Sequence, residues 1–196
     1  MKPNVRKHVA LAAGVTAFVC LSLAPVRPAA AQDGAPVGDL QTVSAFEGRA
    51  KAYSRLREGL EEKLPKLPKE ATPEQIEAHK TTFRQMVREA RAGAKQGDVL
   101  TPDIAAVIRA MLKREYRGQD LKELRQTVME AETQGVPLRV NHSYPESKEL
   151  VEMPPTLLLK LPQLPKQLRY RFVGQNLLLV DRENGLIVDY MTRALP

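Results

Sequence analysis

LRYRFVGQNLLLVDRENGLIVDYM, residues 168–191, decides the fold. Its apolar residues fall into three short runs, Leu168–Val173, Leu177–Val180 and Leu186–Met191. Gly174-Gln175-Asn176 and Arg182-Glu183-Asn184-Gly185 separate them with turn-forming residues. Runs of this length bounded by such breaks predict β-strands joined by tight turns, so a three-stranded antiparallel meander is expected. Arg169 and Arg171 alternate with Tyr170 and Phe172, as in a half-buried strand. Leu177-Leu178-Leu179-Val180 has no polar alternation, as in a strand covered on both faces. Three strands of about five residues are marginal alone. Something else in the chain must cover them.

Working toward the N-terminus, residues 136–167 form a proline-rich connector. PPTLLLKLPQLP, residues 154–165, is apolar but broken by proline. It predicts one helical turn followed by an extended arm, and it is too short to span a bilayer. Leu157–Leu161 is one candidate cover for the sheet.

Residues 39–135 read as helical. Val43, Phe46, Ala50, Tyr53, Leu60, Leu64 and Leu67 keep a three-to-four spacing, with Leu56 filling the gap at Arg57. Pro65 and Pro68 end this first helix. Thr72-Pro73-Glu74-Gln75 predicts a capped start for a second helix, with Ile76, His79, Phe83, Met86 and Ala90 as its apolar stripe, stopping near Gly93. Thr101-Pro102-Asp103 starts a third, with Ile104, Val107, Ile108, Met111 and Leu112 inward. Asp120 and Glu123 read as the capping box of a fourth, closed by Gly135 and Pro137. The expected class is therefore α+β: about four helices, then the meander, with 168–191 packed on the rest of the chain.

The N-terminus carries an address. Lys2, Arg6 and Lys7 precede an apolar run, Val9–Leu23, and Ala29-Ala30-Ala31 supplies small residues before a cleavage point between Ala31 and Gln32. This is the layout of a signal peptide over residues 1–31, so a periplasmic or secreted protein is expected. Residues 32–38 read as a disordered lead-in. Of the 30 basic residues, four lie in the signal peptide, which has no acid, so the chain from Gln32 carries 26 basic and 23 acidic residues. A net charge of +3 does not describe a dedicated nucleic-acid binder, and no nucleic-acid partner is expected. Cleavage also removes Cys20, the single cysteine. The mature chain then has no thiol for a disulfide, a nucleophile or a metal. No stable transmembrane segment is expected after processing.

Several stretches together resemble a group of uncharacterised exported bacterial proteins: KLPKLP at 63–68, REARAGAKQGDVLTPDIAA at 88–106, GVPLRVNHSYPE at 135–146 and the run from Pro154 to Met191. The resemblance implies a shared fold and export, and no particular activity. Tyr170–Met191 alone resembles the terminal hairpin of RcnB-type periplasmic metal-homeostasis proteins, which implies metal handling.

His79 and His142 are the histidines beyond the signal peptide. His79 falls on the apolar stripe of the second helix and reads as a packing residue. His142 precedes Ser143 near Glu146 and Glu149, the one place where a hydrolase reading finds purchase. The chain has no G-x-S-x-G elbow, H-E-x-x-H, G-x-G-x-x-G or P-loop. No catalytic, cofactor-binding or metal-ligating residue is therefore assigned, and no cofactor is expected. Arg84, Arg88, Arg91 and Lys95 advance by four, three and four residues, which places them on one strip if the helix persists to Lys95. That strip reads as a solvated candidate anion-binding surface. Arg109, Lys113 and Arg117 form a second one. The expected role is a non-enzymatic envelope binding or scaffold protein, with an envelope protein or an anionic surface as partner. An envelope hydrolase using His142 and an RcnB-type metal-homeostasis protein are the alternatives.

Overall fold

The computed structural model describes residues 37–131, 133, 135–145, 147–148 and 154–195. The signal peptide, the cleavage point at Ala31 and Gln32, and most of the 32–38 lead-in lie outside them. So do Glu146 and Glu149.

Helix α1 spans Val37–Glu61, α2 Pro73–Ala90, α3 Pro102–Glu115, α4 Gln119–Glu130, and the single turn α5 Pro155–Leu158. Strands β1 (Leu168–Val173), β2 (Asn176–Asp181) and β3 (Ile187–Met191) form an antiparallel sheet in the order β1-β2-β3. The class is α+β, helices first and meander last.

The local signals explain the boundaries. Thr72 Oγ1 accepts the Gln75 N–H and the Gln75 side chain accepts the Thr72 N–H, so the capping box at α2 is complete. Several boundaries differ from expectation: α1 ends at Glu61, ahead of Leu64 and Leu67, and α4 ends at Glu130, ahead of Gly135. Val37 and Gly38 belong to α1 rather than to the lead-in. Helix α2 stops at Ala90, so Lys95 leaves the helical strip. Gly118, at φ +57, is the N-cap of α4, and Asp120 lies inside its first turn instead of capping it. A left-handed residue is easiest for glycine, and that outweighs the Asp120/Glu123 pattern.

Helix α1 packs on α2 and α3, while α4 lies against β1. The sheet separates two apolar clusters. Its inner face, with Leu168, Tyr170, Phe172, Leu177, Leu179, Leu186, Val188 and Met191, merges with Phe46, Phe83, Ile104, Ile108 and Leu112 of the helices. Leu157 and Leu161 of the arm join the same cluster. The outer face, with Val173, Leu178, Val180, Ile187 and Tyr190, is covered by Val136, Leu138 and Tyr144. Both faces of β2 are thus buried, which is why its run is uninterrupted. Each such Leu or Val contributes about 1.5–3 kcal/mol by leaving water.

The connector also extends the sheet. Asn141 N–H donates to the Ile187 carbonyl, Ile187 N–H to that of His142, and Tyr144 N–H to that of Gly185. Residues 141–144 therefore cap the open edge of β3. The described residues cluster as one unit.

Candidate functional site

The chemistry-bearing side chains converge on the layer between the helices and the sheet. Strand β3 contains a bulge: Leu179 pairs with Asp189 but Val180 with Ile187, leaving Val188 as the extra residue. The bulge turns both Val188 and Asp189 to the inner face. Asp189, with no exposed surface, reaches the loop between α2 and α3. Its Oδ2 accepts the N–H groups of Val99 and Leu100, each at 2.8 Å, and its Oδ1 those of Gly97 (2.9 Å) and Tyr190 (2.8 Å). Four amide donors thus converge on one carboxylate.

Asp181, also fully buried, ends β2. Its Oδ1 accepts the N–H groups of Glu183 and Asn184, shaping the turn into β3. Its Oδ2 accepts the Tyr53 hydroxyl at 2.7 Å and lies 3.1 Å from Arg57 Nε, an ion pair without hydrogen-bond alignment. Arg57, 4 % exposed, also pairs with Glu61 and Glu183 and stacks 4.9 Å over the Phe83 ring. The spacing in α1 had given this inward position to Leu56. The structure corrects that: Arg57 keeps the periodic position and Leu56 is 38 % exposed. An arginine can bury its stem and still satisfy its head when carboxylates stand opposite.

The cationic strip of α2 faces the same layer. Arg84 Nε donates to the Asn184 carbonyl and Arg88 Nε to that of Asn141. A second Arg88 nitrogen donates to Ser143 Oγ. Arg91 donates to Asn141 Oδ1 and to the Val188 carbonyl, and its guanidinium lies 5.1 Å from the Tyr53 ring centre. The expected solvated strip is corrected in that respect: three of its members fasten α2 to the sheet and the 141–144 segment. Spacing gives the face of a helix but not what lies across from it. Lys95 is exposed, in the turn after α2. In the second strip, Arg109 donates to the carbonyls of Thr192 and Arg193, while Lys113 and Arg117 are exposed.

Burial pulls the Arg91 guanidinium below its ordinary value, against the opposing pull of Tyr53, Asp189 and Asp98. Burial, then the charge of Asp181 and the hydrogen bond to it, push the Tyr53 phenol far up. Burial and then Glu47 do the same to Tyr170, whose hydroxyl donates to the Pro162 carbonyl. A phenol raised in the folded state keeps its proton where the unfolded chain, near pH 10, releases it. The stability tied to these two neutral phenols is therefore complete below about pH 10 and is lost as pH rises beyond it. Melting temperature should hold up to that pH and then fall. Of the five tyrosines, Tyr53 and Tyr170 should show no tyrosinate absorbance until the fold opens. Reversible ionisation of all five in the folded protein would contradict their burial.

His142 is exposed, its Nδ1 3.3 Å from the Val140 carbonyl. The Ser143 hydroxyl is held by Arg88. His79, half-buried, lines a cleft of about 330 Å³ with Leu64, Pro65, Leu67, Ala78 and Thr82. Among the described residues, no group of three His, Cys, Asp or Glu side chains is placed to hold a metal. None of the described helices is long and apolar enough to cross a membrane.

A second feature is open. Along β1, the arm from Leu158 to Lys166 walls a groove of about 370 Å³. Lys166, Arg169, Arg171 and Arg182 line it, and no carboxylate appears among its described lining residues. At its mouth Leu158 is 47 % and Leu159 85 % exposed. The sequence pattern by itself gives the arm a structural role only. The signal was present in three consecutive leucines between prolines, of which the structure buries just Leu157.

No family model, curated protein or solved structure matches this chain.

Proposed function

We propose that this is an exported envelope protein, periplasmic or secreted, with a non-enzymatic binding or scaffold role exercised through the arm and its groove. One observation carries the reading: buried charge and exposed apolar surface occupy different places. Asp181, Asp189, Arg57 and Arg91 are spent joining the helices to the sheet. Leu158 and Leu159 stand exposed beside a groove with a basic lining. Exposed apolar side chains grouped together and rimmed by polar residues mark interaction sites and ligand grooves. Export rests on the N-terminal pattern of residues 1–31.

The test is to place a photo-crosslinking residue at position 159 in the full chain and irradiate intact envelopes. A discrete adduct at 159, absent when the same group replaces exposed Ala92, is expected. N-terminal sequencing of the recovered protein should begin at Gln32. Recovery with Met1 retained would remove the export reading, and equal labelling at both positions would remove the binding one.

A further inference from the structure

We infer that Asn184 is a modification site guarded by the fold: its side-chain amide deamidates through the unfolded chain, and the product no longer closes the turn between β2 and β3. Unfolding becomes irreversible at this residue. Asn184-Gly185 is the single Asn-Gly pair in the chain. The pairing matters chemically, because glycine has no Cβ to hinder its backbone nitrogen. Once deprotonated, the Gly185 nitrogen attacks Cγ of Asn184. A C–N bond forms, and the bond from Cγ to Nδ2 breaks with release of ammonia. Water then opens the resulting succinimide at either carbonyl. The net change consumes one water, releases one ammonia and leaves a carboxylate, as aspartate or as isoaspartate.

The folded turn commits both reacting groups to other bonds. Gly185, at φ +69, donates its N–H to the Asp181 carbonyl at 3.1 Å. Asn184 Oδ1 accepts the Leu186 N–H at 2.9 Å, which fixes the side chain. The Asn184 N–H donates to Asp181 Oδ1, and its carbonyl accepts from Arg84 Nε of α2 at 2.8 Å. Asn184 has no exposed surface. Attack on Cγ requires Gly185 to leave Asp181 and Asn184 to swing off Leu186. Asp181 also holds Tyr53 of α1, so the turn comes apart with the layer that joins the helices to the sheet.

The product does not fit the site that the amide leaves. A carboxylate at 184 adds a second acid to a fully buried cluster. Arg57 there already pairs with Asp181, Glu61 and Glu183, while Arg84 is held by the Asn184 carbonyl and lies 3.9 Å from Glu77. Isoaspartate also routes the backbone through the former side chain and lengthens the turn. The Asp181 N–H, which donates to the Leu186 carbonyl at 2.9 Å, then loses its match.

The experiment incubates the chain from Gln32 onward at one mildly alkaline pH and temperature, with and without an unfolding concentration of guanidinium chloride. Peptide mapping by mass spectrometry reads conversion at position 184. Native proteins are unfolded for a fraction of about 10⁻³ or less, so conversion in the folded chain should be at least about a hundredfold slower than in denaturant, even where the turn opens more often than the whole. A smaller difference would overturn the guarding. Chains returned to native buffer after increasing times in denaturant should divide into two fractions. The refolded one should carry asparagine at 184, and the one that fails to refold should carry aspartate or isoaspartate. Asn184→Asp should unfold at a lower denaturant concentration than wild type, or fail to fold. Modified residue equally abundant in both fractions, or an aspartate variant as stable as wild type, would overturn the irreversibility.

Discussion

Asp189→Ala is expected to cost roughly 3–5 kcal/mol of folding stability and to lower the melting temperature by about 10–15 °C. The carboxylate receives four backbone N–H groups, from Gly97, Val99, Leu100 and Tyr190. A buried donor left without its acceptor costs about 1–3 kcal/mol, and water entering the vacated space offsets part of the sum. The loss should fall on the turn between α2 and α3 and on the bulge at Val188–Asp189 together, because one side chain holds both. Asp189→Asn preserves the shape but points an amide at two of the donors, so it should recover less than half of the loss. Chemical denaturation of the two variants checks this. A loss below about 1 kcal/mol for the alanine variant would mean that the loop satisfies its amides without Asp189.

Arg57→Ala should be nearly as damaging. It removes the cation 3.1 Å from Asp181 and leaves that carboxylate in a site with no exposed surface. Breaking one side of a buried pair costs about 3–5 kcal/mol, since the remaining charge stays desolvated. The stacking on Phe83 is lost too. Tyr53→Phe removes a hydroxyl donor to the same carboxylate and should cost about 1.5–3 kcal/mol. The two changes share a partner, so the double variant should depart from additivity by about 0.5–3 kcal/mol. Strict additivity would show that Tyr53 and Arg57 do not act through Asp181.

The elements themselves were legible because each carried a local cause. Thr72 and Gln75 announced α2, Pro102 announced α3, and the breaks at Gly174 and Gly185 delimited three strands. The charged layer was not legible. Arg57 occupies a position that the apolar spacing of α1 demands for the interior. Its justification, Asp181, lies more than a hundred residues away. Asp189 interrupts the apolar run Leu186–Tyr190, and that lone carboxylate was the one available hint. Its direction depends on the bulge, which one-dimensional alternation does not reveal. The arginines of α2 were correctly placed on one strip as far as Arg91, but whether a strip meets water or a sheet is a tertiary fact. The same holds for Leu158 and Leu159, which differ from Leu157 only by the angle at which a single proline-bounded turn meets the core.

The sheet and the helices are one unit, fastened by Asp181, Asp189 and the arginines of α1 and α2. Native-state hydrogen exchange tests it most directly. In the chain from Gln32 onward, the slowest amides of Leu177–Val180 in β2 and of Ile108–Leu112 in α3 should exchange with one common opening free energy, equal to that of global unfolding. Sheet amides that open well below the helical ones, with α3 still protected, would contradict the account.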